Sequence, residues 1–452
     1  MAAPVHDAVT AVLLHGDELY LVERNPALPA FSGYHAFPGG KVDREDTDEP
    51  LAHALFGGHP PRLVRALARE LLEELDFDLF GAAERGHVAE LVNLGEITTP
   101  AFVALRFRTW FFKVVLHERP TFTLDRGEAV NAAWQPMAEW SRRFATGKLL
   151  VAPPTRLAIE ALGADPALRV LPPIVPPGFD EARDLIWIEP LAGLRILLVR
   201  SNTLPPATHT NVFWLGGNGA PRVLIDPAPA DRDELERLCR RLDEFGVDLV
   251  FLTHHHPDHR EYADEIARRY RVPIGASADS HDRIVAKAGA GFFDGLEVRT
   301  YGEGDELTRW QGETVRLWAV PGHDEGQLAP MPESRAWCIV GDLIQGIGTV
   351  VIAPPEGNMR KYFASLKRVI ALDPAVIIPS HGLALGGTHY LRSALRHREE
   401  RESQIRARHE SGQSEDQILA EVYSGIDPRL LPLARMNIRS HMTKLREEGL
   451  VS

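Results

Sequence analysis

The sequence predicts a multidomain chain of mixed α/β and α+β class, and three observations carry that expectation. Its 452 residues exceed what a single hydrophobic core usually organises. Short apolar, β-branched runs mix with helical patterns on both sides of a break with prolines at 166, 172, 173, 176 and 177, which favours extended, semi-rigid backbone. Past residue 390 the patterns are short and helical. The expected layout is a first domain over 1–164, a proline-rich link over 165–180, a second domain over 181–390 and a small tail over 391–452.

Residues 9–14 and 18–23 read as strands, and 66–75 as a helix. Leu67, Leu71, Leu72 and Leu75 form its apolar face, with Glu70, Glu73 and Glu74 on the other. Carboxylates packed on one surface repel unless a cation neutralises them, and their hard oxygens suit Mg²⁺ or Mn²⁺ bridging a diphosphate. Strands are expected at 107–112 and 133–137. Beyond the prolines, strands are expected at 186–188, 196–199 and 223–226, followed by a helix over 232–244. Residues 247–252 are a short apolar run of the buried-strand kind, so the loop that follows lies at that strand's C-terminal end.

That loop is Thr253-His254-His255-His256-Pro257-Asp258-His259. Imidazole nitrogens and a carboxylate are ligands for a borderline-soft dication, and the spacing lets alternate residues serve one ion and the next two a second. His323, Asp342 and His381 each follow another apolar segment. Two dications roughly 3.5–4 Å apart pull the pKa of a shared water toward neutrality and polarise the scissile oxygen, and Asp258 is placed to orient the nucleophile. His255, His281 and His389 fall outside the spacing and read as surface or supporting residues.

The His-x-His-x-Asp-His cluster resembles that of the metallo-β-lactamase superfamily. By that resemblance, His254, His256 and His323 hold one zinc or similar transition ion, Asp258, His259 and His381 a second, and Asp342 bridges them in an αββα sandwich. Residues 341–349, 359–370 and 396–401, with helical segments at 390–409, 415–423, 430–437 and 438–448, resemble the β-lactamase-like protein 2 family. Arg260-Glu261 stands where members of the β-lactamase-like protein 2 family usually have small glycines, which implies a narrower and more charged mouth. The resemblance implies a winged-helix tail, and some members of that family cleave single-stranded RNA.

In the first domain, Phe37-Pro38-Gly39-Gly40 followed by Arg69-Glu70-Leu71-Leu72-Glu73-Glu74-Leu75 resembles a Nudix box. Ile97-Thr98-Thr99-Pro100 and Ala152-Pro153-Pro154-Thr155 extend the likeness to the subgroup containing coenzyme A diphosphatases. It implies an α/β/α sandwich in which Glu70, Glu73 and Glu74 hold Mg²⁺ or Mn²⁺ and act in catalysis, with Asp46 as the upstream acid and Glu128 as a remote base. Two departures stand out: a long insertion between Gly40 and Arg69, and Asp76 in place of the closing glycine. Aspartate adopts the left-handed conformation of a helix end only at some cost.

A net charge of −13 opposes nonspecific capture of nucleic acid. Cys239 and Cys338 match no zinc spacing and give no disulfide framework. The absence of a long apolar run and of a basic leader predicts a cytoplasmic protein without membrane contact. The expected activity is bifunctional: hydrolysis of an ester, thioester or phosphodiester by the second half, and of a nucleoside diphosphate, coenzyme A included, by the first. The partner is then a small nucleotide-linked or thioester substrate. Two alternatives stand beside it, an RNA endonuclease with an accessory Nudix domain, and a zinc hydrolase with a ligand-binding regulatory one. The tail either binds RNA, packs on the sandwich or forms a homodimer contact.

Overall fold

The computed structural model describes residues 5–99, 106–180 and 182–451, so Pro100 of the 97–100 stretch lies outside them. The chain forms two compact units: residues up to Phe179 with Pro190–Ala192, and Asp180–Glu189 with everything from Gly193 onward.

The first unit contains β1 (Val5–His15), β2 (Glu18–Arg24), β3 (His35–Ala36), β4 (Val88–Thr98), β5 (Arg106–Leu116) and β6 (Ala129–Pro136). They form one sheet in the order β3-β2-β1-β5-β4, with β6 also pairing with β2. Helices α1 (Pro61–Leu75) and α2 (Leu79–Glu84) cover one face, and α3 (Met137–Ala145) and α4 (Pro153–Ala164) the other. The pleat of β1 explains both cores: Val9, Ala11 and Leu13 pack with Leu67 and Leu71, while Val12 and Leu14 pack with Trp140 and Phe144. Leu72 departs from the expected apolar face and is half exposed, because its 100° step carries it off the line of Leu67, Leu71 and Leu75. Asp76 takes the left-handed conformation at φ 54°, and its N–H closes the helix onto the Leu72 carbonyl. The first part of the expected link is docked rather than free: the Leu171 N–H donates to Leu94 O, and buried Lys113 donates to the carbonyls of Pro166 and Leu168.

The second unit opens with a seven-stranded mixed sheet, β13-β12-β11-β10-β9-β8-β7. Its strands are β7 (Trp187–Leu191, of which 187–189 belong to this unit), β8 (Leu194–Arg200), β9 (His209–Gly217), β10 (Ala220–Ile225), β11 (Leu249–Phe251), β12 (Ile274–Ser277) and β13 (Val298–Tyr301). Helices α5 (Arg232–Phe245), α6 (Pro257–Arg260), α7 (Ala263–Tyr270) and α8 (Ala278–Ala288) follow these strands, and α5, α7 and α8 cover the face bearing Val212, Leu224 and Val250. The alternate residues Phe213, Ile225 and Phe251 are fully buried on the opposite face. Among the described residues, two three-stranded sheets complete the strand set. One comprises β14 (Glu306–Trp310), β15 (Glu313–Ala319) and β16 (Leu328–Pro332), and the other β17 (Cys338–Gly341), β18 (Val376–Pro379) and β19 (Leu385–Gly386). Helix α9 (Met359–Leu372) packs on them through Tyr362 and Leu366.

Helices α10 (His389–Glu410), α11 (Glu415–Val422) and α12 (Leu431–Glu447) share a core of Ile405, Leu419, Ile438 and Leu445. The two segments expected at 430–437 and 438–448 are one helix, since residues 433–448 contain no glycine or proline to break it. Cys239 and Cys338 are buried and unpaired, and burial pushes the Cys338 thiol up to about 12. Among the described residues no helix is long and apolar enough to cross a membrane.

Candidate metal centre

The centre is built where strands of the second unit end. β10 and β11 run parallel with Ile225 beside Phe251, so Asp226 and the loop after Leu252 emerge side by side. Asp226 accepts from Thr253 N–H at 2.7 Å, from Thr253 Oγ1 at 2.6 Å and from His259 Nδ1 at 2.9 Å. Pro257 starts the short α6, a position where its missing N–H costs nothing, and this turn places Asp258 and His259 together.

Two sets of ligating atoms converge. His254 Nε2 and His323 Nε2 lie 3.1 and 3.0 Å from His256 Nδ1. Asp258, His259 and His381 form the second set, with His381 Nε2 3.6 Å from Asp258 Oδ2. Asp342 stands between them: Oδ1 is 3.6 Å from His259 Nε2 and 3.5 Å from His381 Nε2, and Oδ2 is 3.6 Å from His323 Nε2. All seven expected residues therefore meet. Each imidazole has an acceptor at its other nitrogen: Thr253 Oγ1 for His254, Glu356 for His256, Asp226 for His259, and the carbonyls of Val351 and His209 for His323 and His381. Those contacts fix the tautomers and leave lone pairs facing inward.

A divalent cation fits this arrangement. Three inward nitrogens at hydrogen-bond distance cannot all be satisfied by protons, and His259 Nε2 and Asp342 Oδ1 are buried without a hydrogen-bond partner. Burial, with the charges of His259 and His256, drives His254 well below its ordinary pKa, and burial with His256 lowers His323 to about 4, keeping both rings in the ligating form. At His259 burial pulls downward, yet Asp342, Asp258 and Asp226 outweigh it and hold the group well above its usual value. The second set is thus an anionic cage that favours positive charge.

In the first unit, Glu70, Glu73 and Glu74 share α1, but their oxygens form none of the tight ligand groups among the described residues. Arg69 binds Glu70 Oε1 at 2.9 Å, Glu73 Oε2 at 3.2 Å and Asp46 Oδ2 at 3.1 Å, while Glu74 Oε2 accepts from Gly39 N–H at 3.1 Å. A Cβ on Gly40 would lie 2.4 Å from Glu70 Oε1, so the Gly-Gly loop can pass this close to the carboxylates only without side chains. Burial pushes the Glu74 carboxyl up to about 8, with Glu70 and Glu128 adding to it against Gly39 N–H and Arg24. Burial also raises Glu70.

Residues 205–381 match the family model for the metallo-beta-lactamase superfamily. This half carries a metallo-β-lactamase domain. Residues 414–452 match the beta-lactamase associated winged helix domain, and among the described residues that tail has no strand. A beta-lactamase-like protein 2 homolog of Drosophila melanogaster is 26% identical, over 53% of this chain and 83% of its own. A hydroxyacylglutathione hydrolase of Acidiphilium cryptum is 29% identical, over 42% of this chain and 72% of its own. A beta-lactamase domain protein from Burkholderia ambifaria superposes with a TM-score of 0.50 at 21% identity, covering 60% of this chain and 91% of that one. A NUDIX hydrolase from Alicyclobacillus acidocaldarius aligns with 36% of this chain and 93% of its own at 23% identity and a TM-score of 0.31. Homologues of the metallo-β-lactamase domain are metal-dependent hydrolases, and this chain is an enzyme of that kind.

Three residues of the metallo-β-lactamase domain escaped the spacing argument, and a fourth was misplaced by it. Asp226 is a lone acid at a strand end, and only the parallel neighbour β11 makes it significant. Glu356 lies in an irregular segment a hundred positions beyond His256. Asp324 is fully buried and ion-paired with buried His255, which places that histidine as a support for the loop. Arg260 was expected at the mouth. It is buried instead, donating to the His255 carbonyl at 2.9 Å and stacking over Phe292, because its long stem finds apolar cover inward.

Proposed function

We propose that the metallo-β-lactamase domain hydrolyses an ester or thioester in a small nucleotide-linked substrate, and that the first unit cleaves a nucleoside diphosphate, coenzyme A included, on Mg²⁺ or Mn²⁺ held by Glu70, Glu73 and Glu74. The observation that carries the first half is the position of Asp342, with one oxygen toward each ligand set. His254, His256 and His323 would hold one zinc or similar ion, and Asp258, His259 and His381 the other. Such a pair lowers the pKa of water and polarises the scissile bond. The protein's own part is positional: Asp226, Glu356 and the Val351 and His209 carbonyls aim the imidazoles, and Asp258, partly exposed, is open to a reacting proton. Similarity to a hydroxyacylglutathione hydrolase supports a thioester ahead of a phosphodiester.

For the first unit, the support is the Gly39–Gly40 loop laid against Glu70 and Glu74, whose burial cost a bound dication would relieve. A regulatory, ligand-binding unit is the second reading, favoured by Arg69, which already neutralises Glu70 and Glu73. Cleavage of RNA draws less support, since Arg406, Arg408, Arg429, Arg435 and Arg439 of the tail are engaged with carboxylates. The deciding experiment offers the full chain, supplied with Zn²⁺ and Mg²⁺, an acyl thioester of coenzyme A, a nucleoside diphosphate and single-stranded RNA. Thioester and diphosphate hydrolysis are expected. Turnover of RNA alone, or of none, overturns the proposal.

A further inference from the structure

We infer that the helical tail braces the first ligand set: Asn437 and Arg398 hold residues 350–352 so that the Val351 carbonyl orients His323. This rests on the reading of His254, His256 and His323 as metal ligands. Residues 342–358 form no helix or strand, so the buried backbone groups of this segment must find partners elsewhere. Three consecutive residues do so in a fixed pattern. The Val350 carbonyl accepts from the Arg398 guanidinium of α10, and Ile352 N–H donates to Asn437 Oδ1 of α12 at 2.9 Å. Between them, the Val351 carbonyl lies 2.9 Å from His323 Nδ1.

Both tail groups are polar where packing alone would place apolar side chains. The buried residues of α10 are Leu391, Arg398 and Ile405, seven apart on one stripe, with the arginine in the middle. Arg398 is 6% exposed and Asn437 3% exposed. Their burial is compensated by the two backbone bonds to the strap. The strap has a second hold on the same ligand set, since Glu356 Oε2 lies 3.3 Å from His256 Nε2. Its far end is pinned where Asn358 N–H donates to Gly322 O at 2.8 Å, one residue before His323. Gly322 itself, at φ +134°, admits no Cβ, because one would fall 2.3 Å from the Tyr362 backbone. The His323 ring therefore has its backbone fixed by α9 and its Nδ1 fixed by a peptide that the tail holds. Asn437 and Arg398 are positioning residues for the metal centre, and the tail does more than fill a surface.

The test loads the full chain with Co²⁺ and reads its affinity for each ion, together with the paramagnetically shifted N–H resonances of the ligand histidines. Asn437→Leu and Arg398→Met are expected to weaken one of the two ions about tenfold and to shift the His323 N–H signal, leaving those of His259 and His381 in place. Asn437→Asp and Arg398→Lys, which keep an acceptor and a donor, are expected to restore both. Folding is checked by circular dichroism, and Asn437→Ser replaces the leucine variant if that one is unfolded. Wild-type affinity and an unmoved His323 signal in the folded variants overturn the brace alone, as does an equal loss in the conservative pair. A wild-type chain that takes up no Co²⁺ overturns the metal reading and the brace with it.

Discussion

The carboxylate of Asp226 accepts from His259 Nδ1 at 2.9 Å while also taking both donors of Thr253, so one buried acid fixes the ring of a proposed metal ligand and the start of its loop. Asp226→Asn keeps the shape but turns an amide N–H₂ toward at least one of these donors. The expected outcome is a loss of about 1–3 kcal/mol in stability and of roughly 10–100-fold in affinity for the ion at the second set. Elemental analysis after dialysis and a thermal melt check it. A variant retaining both ions at wild-type stability would show that His259 orients without help.

Asp342 presents Oδ1 to the Nε2 atoms of His259 and His381 and Oδ2 to that of His323, so its two oxygens address both sets. Asp342→Ala is expected to empty the second position and to lower thioester hydrolysis by more than about a hundredfold, the upper end seen for outer partners of a ligand. Elemental analysis reads the first effect and steady-state kinetics the second. Two retained ions with unchanged turnover would sink the assignment.

His35, packed near Trp140, is lowered from 6.5 to about 4, chiefly by burial and further by the Arg143 charge. Between those values the unfolded chain binds the proton and the folded one does not, so stability is lost as pH falls from 6.5 toward 4. The loss is on the order of 3 kcal/mol at about 1.4 per unit. His35→Phe is expected to flatten that slope. Hydrogen exchange of the Trp140 indole N–H, buried and bonded to Leu19 O at 2.9 Å, reads it inside the first unit. An unchanged slope in the variant would assign the acid sensitivity to another group.

Much of the centre was legible because a loop ligand set announces itself by type and spacing. Four candidate ligands within 254–259, and His323, Asp342 and His381 each after an apolar run, need only strand ends to converge. Asp226 and Glu356 carry no such spacing, since their significance arises from a parallel neighbour and from an irregular strap that sequence period does not encode. The helical tail shows the same limit in another form. Local pattern located its helices but split α12, and nothing local marks Asn437 as the acceptor for Ile352 N–H. In the first unit the α1 carboxylates were legible, but their division between Arg69 and Gly39 depends on the loop that returns beside them.

The two proposed chemistries should break independently, because the residues that carry them lie in separate compact units. Glu74→Gln removes a ligand at nearly constant volume and deletes a carboxyl that burial holds near 8, so the variant is expected to fold. It should lose Mg²⁺-dependent diphosphate cleavage by roughly tenfold or more while keeping thioester hydrolysis. Glu73→Gln acts on a more exposed group shared with Arg69, so its effect should be the smaller of the two. His256→Ala reverses the pattern, since its Nδ1 is the atom on which His254 and His323 converge. It should abolish thioester turnover and spare diphosphate cleavage. Assays of all three variants on both substrates read the result. Diphosphate cleavage that persists in the glutamate variants would remove catalysis from the first unit. Cleavage absent from the wild type under Mg²⁺ and Mn²⁺ alike would leave that unit as a ligand-binding regulator of the metallo-β-lactamase domain.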